Sequence, residues 1–255
     1  MSVPPASSGL ATLERWGAVR TAGLETRTQL RERVAAQAAA PAARLWLVRH
    51  GETTTNAAGL FTGVTDAPLT VRGRLQAQEA GRAIAGRAFD VGFASNLQRS
   101  YETLELMTQA GGLALPCTTR DVRLAERSFG ELERTPVRPR DPRLAVDLEL
   151  APAGGESYVE LARRCLSFLL DLRGLAACLR RPLDILISTH TGPMRMLTSI
   201  LDETTDAAVM RDQRFANGAI VERSLRRLGW PVFAGGLPGA AGGASDEEPG
   251  PRSRP

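Results

Sequence analysis

Two near-continuous apolar runs, LWLV at residues 45–48 and LDILIS at residues 183–188, restrict this chain more than any other feature. A strand with one face in water alternates apolar and polar side chains. A strand that is apolar at consecutive positions has to be covered on both faces. Strand candidates fall at residues 44–50, 90–95, 113–118, 183–190 and 219–224, and helix candidates at 71–87, 97–109, 157–179 and 194–201. That alternation predicts an α/β fold: a three-layer α/β/α sandwich with a mostly parallel central sheet.

With 255 residues the chain has room for one large domain of this kind. Residues 1–43 are rich in alanine, arginine and glutamate, and Leu10, Leu13, Trp16 and Val19 recur every third position. They are expected to form an N-terminal extension, helical or frayed. From residue 231 the chain turns to glycine, proline and the acidic patch Asp246-Glu247-Glu248, a composition that buries too little to fold and predicts a disordered tail. The domain itself is expected to span residues 44–230.

Charge narrows the partners. The 32 cations face 28 carboxylates spread along the same chain, and no block of five or six like charges occurs. A nucleic-acid arm is therefore not expected, whereas a small anionic substrate suits the moderate basic excess. Every cation is arginine, which reads first as coding bias and second as a preference for its phosphate-matching fork. The three cysteines, Cys117, Cys165 and Cys178, form no CxxC and leave an odd one over, which points to a reducing compartment. No apolar run approaches membrane-spanning length, and the N-terminus lacks a secretory pattern. Glu14, Glu25 and Glu32 argue against a transit peptide, so the expected location is the cytoplasm, with no membrane partner.

The chain has two histidines, His50 and His190, and each closes a predicted strand. Ligands of parallel sheets sit beyond the carboxyl ends of the strands, so both imidazoles are expected at one site. Phosphoryl transfer needs a nucleophile, cations around the charged oxygens and an acid for the leaving oxygen. A neutral imidazole attacks phosphorus when its other nitrogen is held protonated by an acceptor. Arg49 beside His50 is placed for a charge-assisted phosphate contact, and Gly51 lets the backbone turn behind it. Asn56, Thr62 and Gly63 follow as neutral donors. Arg99 lies just inside a predicted helix, whose N-terminus already favours anions, and Gly192 supplies an amide at another helix start. Glu126, with Glu131 and Glu133 nearby, is the candidate proton donor. No HxH, HExxH or clustered carboxylate accompanies the histidines, so no metal site is expected.

RHGETTTN, FTGVTDAPLT, FDVGFASNLQRSYETLEL, LAERSFGELE, AGGES and ISTHTGPMRML occur in the order found in the histidine phosphatase superfamily, and the chain resembles that phosphoglycerate-mutase-like family over roughly residues 44–224. The resemblance implies a phosphoglycerate mutase-like fold, phosphorylation of His50 followed by hydrolysis, and no cofactor. It places Arg49, Arg99 and His190 around the phosphoryl group, Glu126 as acid and then base, and Asn56 and Thr62 at phosphate- or substrate-contacting positions. Two departures stand out: Thr191 follows the second histidine where a small residue is common, and Arg134 stands where family members often have glycine.

The leading expectation is a metal-independent phosphomonoesterase acting on a small phosphorylated substrate. A cofactor-dependent phosphoglycerate-type mutase is the first rival. The short stretch from Glu126 to His190 favours hydrolysis over it, because such mutases carry a longer enclosing insertion there. A non-catalytic phospho-ligand binder is the second rival, and a homo-oligomer is left open. Cys117 and Arg123 also fit the Cys-x5-Arg spacing of cysteine-dependent phosphatases, but that segment has no glycine to wrap backbone amides round a phosphate. The arginine- and proline-rich stretch 131–153 reads either as a substrate-selecting lid or as a solvated, stiffened loop.

Overall fold

The computed structural model describes residues 25–138, 148–204 and 206–229. The candidate helix around Leu10–Val19, the tail from residue 231 and the middle of the 131–153 segment lie outside them.

The described residues begin with helix α1 (Arg27–Ala35), opened by a capping box between Thr26 and Gln29. Strand β1 (Ala43–Arg49) leads to a short helix α2 (Thr54–Ala57) and then helix α3 (Val71–Ala83). Strand β2 (Val91–Ala94), helix α4 (Gln98–Gly111) and strand β3 (Thr118–Arg120) follow. Two 3-10 turns, Val122–Leu124 and Gly130–Leu132, precede the long helix α5 (Tyr158–Leu179). Strand β4 (Leu183–Thr189), helix α6 (Thr191–Leu201), helix α7 (Ala207–Asp212) and strand β5 (Ile220–Leu225) complete the order.

The strands form one five-stranded sheet in the order β3-β2-β4-β1-β5. All neighbours run parallel except β5, which is antiparallel to β1. The continuous apolar runs are explained by what covers them. Leu45, Leu47, Phe93, Ile185 and Ile187 pack with α5, α6 and Leu30 of α1 in one buried cluster. Trp46, Val48, Ala94 and Leu186 point to the other face and pack with α3 and α4. Among the described residues no helix is long and apolar enough to cross a membrane.

Three boundaries differ from the sequence expectation. The third strand begins at Thr118 rather than near 113, because Pro116 has no N–H for the ladder and only Ala114 makes an isolated bridge, to Ala88. Helix α3 stops at Ala83, before Gly86 turns the chain with a φ of +70°. Helix α6 starts at Thr191 rather than 194; Pro193 sits in its first turn, where the missing N–H costs no helical bond. The extension is not all loose chain: α1 docks its buried Leu30 on the main core.

Candidate active site

Strand register brings the two histidines together. Arg49 of β1 pairs with Thr189 of β4, so His50 and His190 are each one residue past a matched pair. His50 N–H donates to the Thr189 carbonyl at 3.0 Å, and the two buried rings meet edge-on with centroids 4.9 Å apart.

His50 Nδ1 lies 2.7 Å from its neighbour Gly51's carbonyl. A carbonyl only accepts, so Nδ1 carries the proton and Nε2 keeps its lone pair. Burial, with the charges of Arg99 and Arg49, drives the His50 pKa well below 6.5, and the Gly51 bond opposes this only in part. His190 is shifted the same way by burial first, then by Arg99, His50, Arg164 and Arg49. Its Nδ1 accepts from Arg99 Nε at 3.3 Å, which leaves Nε2–H to donate to Ser95 Oγ at 2.7 Å. Both imidazoles are therefore neutral near pH 7.

Guanidiniums surround them. Arg99 is fully buried in the first turn of α4 and also donates to the carbonyls of Gly63 at 2.7 Å and Thr65 at 3.0 Å. It pairs with Asp66 at 3.2 Å, and the same Asp66 caps α4 by accepting from Gln98 N–H at 2.5 Å. Arg49 donates to the Phe215 carbonyl at 2.6 Å, while its buried Nε has no partner. Burial is the largest cause of a lowered Arg49 pKa; Glu126 opposes it, and Arg195 and Arg99 add to it.

Glu126 sits at the start of α6. Gly192 N–H donates to its Oε1 at 3.0 Å and its Oε2 at 3.1 Å, and Arg127 N–H donates to Oε1 at 2.8 Å. A carboxylate at a helix N-terminus satisfies otherwise orphaned amides. The backbone around it is fixed by Thr189 Oγ1 on the Leu124 carbonyl at 2.7 Å and by Arg164 on the carbonyls of Arg123 and Glu126 at 2.6 and 3.2 Å.

The sequence therefore pointed to His50, His190, Arg49, Arg99 and Glu126 as one group, and the fold brings these five together. Other expected donors are engaged elsewhere. The Gly192 amide is taken by Glu126, and the Gly63 amide donates to Glu133 at 3.0 Å. Glu133 also gathers the amides of Val64, Thr65 and Phe129, so it holds the loop that carries the expected Gly63 donor. Thr62 Oγ1 donates to the Leu60 carbonyl at 3.2 Å. Asn56 uses Oδ1 to accept from Thr53 N–H at 3.3 Å and from Asn217 Nδ2 at 3.4 Å, and neither bond occupies its own Nδ2. Cys117 and Arg123 form no phosphate loop: β3 runs extended between them, and Arg123 is consumed by Asp121 and Asp171.

Sequence reasoning missed Ser95, Asn217, Arg195 and Arg127. Asn217 donates to the His50 carbonyl at 3.0 Å, and Arg127 lies over the rings of Tyr158 and Phe129 at 4.2 and 4.8 Å. Only Ser95 had a usable signal, as the residue just after β2 beside the histidine strand. Among the described residues, no group of three or more histidine, cysteine or acidic side chains is placed to hold a metal ion.

Fold and site together define an α/β protein with paired neutral imidazoles set among guanidiniums at the carboxyl edge of its sheet. The sequence model of the histidine phosphatase superfamily (branch 1) matches residues 45–232, and the chain belongs to that family. A 2,3-bisphosphoglycerate-dependent phosphoglycerate mutase of Xanthobacter autotrophicus is 32% identical over 187 residues, 69% of this chain and 89% of the relative. The solved alpha-ribazole phosphatase of Shigella flexneri is 28% identical, with a TM-score of 0.59 over 77% of this chain and 100% of its own. A mycobacterial glucosyl-3-phosphoglycerate phosphatase is 25% identical, with a TM-score of 0.61 over 72% of this chain and 91% of its own.

Proposed function

We propose that this protein is a metal-independent phosphomonoesterase that works through a phosphohistidine on His50. One observation carries the reading: a buried, neutral imidazole whose Nδ1–H is pinned at 2.7 Å by Gly51, leaving Nε2 as a nucleophile beside Arg49 and Arg99. Nε2 attacks phosphorus and forms the P–N bond as the ester P–O bond breaks. Glu126 gives its proton to the departing alkoxide. The carboxylate then takes a proton from water, which attacks phosphorus, breaks the P–N bond and releases phosphate. Arg49 and Arg99 hold the equatorial oxygens, and preorganised charge of this kind is commonly the largest catalytic contribution. His190 Nδ1 accepts from Arg99 Nε at rest, so it helps fix that guanidinium in place.

The mutase reading is supported by the names of the sequence relatives: those of Xanthobacter, Rhodopseudomonas and Bradyrhizobium are all 2,3-bisphosphoglycerate-dependent phosphoglycerate mutases. What favours hydrolysis is the solved neighbours named as phosphatases.

The test is phosphate release from sugar phosphates, nucleotides and an activated aryl phosphate in EDTA. Release is expected to survive EDTA and fall to background in His50→Ala. Little free phosphate, with turnover only after a bisphosphorylated primer is added, would establish the mutase. No turnover of either kind would leave a binder.

A further inference from the structure

The match to the family begins at residue 45, so α1 lies outside the matched residues. It makes a specific contact. Arg33 of α1 pairs with Glu25 at 2.6 Å and with the buried Asp171 of α5 at 2.6 Å. Asp171 Oδ2 accepts from Arg123 Nη1 at 2.5 Å, and Ser167 bridges Glu25 and Arg123. Arg123 is buried and grips Asp121 through Nε and Nη2. Its carbonyl shares the Arg164 guanidinium with the carbonyl of Glu126.

We propose that α1 is a brace for the general acid: Arg33 and Glu25 are positioning residues that act through Asp171 and Arg123 to hold the segment ending in Glu126. The physical basis is a buried network of ion pairs, in which Arg123 and Asp171 are both buried. Arg33 holds Oδ1 of Asp171 and Arg123 holds Oδ2, so removing Arg33 loosens the buried pair and the Arg123 segment relaxes toward a new arrangement. Glu126 lies three residues further on. Misplacement of a reacting group by about 1 Å can cost on the order of 10²-fold in rate.

This inference rests on Glu126 being the acid, and leaving-group chemistry tests both separately. An activated aryl phosphate departs as a phenolate and needs no proton, whereas an alkyl phosphate does. In Arg33→Ala, kcat/KM, which reports the steps up to release of the alcohol, is expected to drop about tenfold for an alkyl phosphate and to stay within about twofold for the aryl phosphate. Arg33→Lys, which retains a cation, is expected to recover part of the loss. Glu25→Gln provides a milder perturbation if Arg33→Ala does not fold, with the same split in smaller measure. Equal losses on both esters, or no loss on either, overturn the brace. Glu126→Gln is measured alongside: if it shows no split, the acid assignment fails, irrespective of α1.

Discussion

A non-glycine residue in the left-handed region costs about 1–2 kcal/mol, because its Cβ crowds the following carbonyl. Arg134 sits there with a φ of +62°. Its amide still donates to the Phe61 carbonyl at 2.8 Å, so the backbone, not the side chain, demands this conformation. Arg134→Gly relieves the crowding but returns about 0.5–1 kcal/mol through the freer unfolded chain. The urea midpoint is therefore expected to rise by the equivalent of about 0.5–1 kcal/mol, and a fall would mean the Arg134 side chain contributes a contact of its own. Cysteine reactivity follows from burial in the same residue-by-residue way. Burial pushes the Cys165 thiol up to about 12, while Cys178 is exposed. An alkylating reagent at pH 8 is expected to label Cys178 in the native protein and Cys165 only after unfolding, as peptide mapping would show.

Helices α3 and α4 approach at glycines. A Cβ on Gly81 would strike the Met107 backbone, and one on Gly111 would strike the Gly81 carbonyl. Gly174, exposed in α5, has nothing within 4 Å of such a Cβ. Alanine gains about 1 kcal/mol over glycine by helix propensity alone, so Gly174→Ala is expected to stabilise by about that amount. At Gly81 the same gain is set against overpacking of about 1–3 kcal/mol on rigid backbone, and a net loss is expected. Equilibrium unfolding of the pair checks both signs. Elements were largely legible because each carries its own period: LWLV and LDILIS announce strands, and residues 157–179 announce a helix. The misplaced third strand was not, because Thr118–Arg120 is polar and short, and its place is set by pairing with Gly92, Phe93 and Ala94. Close approach at Gly81 was equally silent, since a glycine in a helix reads the same whether it faces water or another backbone.

At the scale of the whole molecule, strand register decides what could be foreseen. His50 and His190 were legible as a pair because each closes an apolar run and parallel strands share an edge. Glu133 could not be placed from its spacing: its acceptors' partners lie about seventy residues upstream, at Gly63 and Thr65. The tie from Arg33 to Asp171 spans a still longer separation, and nothing local marks it. The paired histidines also govern how the entire fold responds to acid. Both are buried and neutral, with folded pKa values well below 6.5, whereas in the unfolded chain they take up protons near 6.5. Below that pH the unfolded state binds protons that the native state refuses, so stability falls as pH falls. Above it the full contribution is present. The slope approaches about 1.4 kcal/mol per pH unit for each imidazole. Urea unfolding at pH 7.5, 6.5 and 5.5 is expected to show the decline setting in below 6.5, before most carboxylates titrate. His50→Gln and His190→Gln are each expected to remove about half of it, since these are the only two histidines in the chain. A flat profile would mean that one imidazole is already charged in the native site, and the neutral nucleophile on which the proposed chemistry depends would be lost with it.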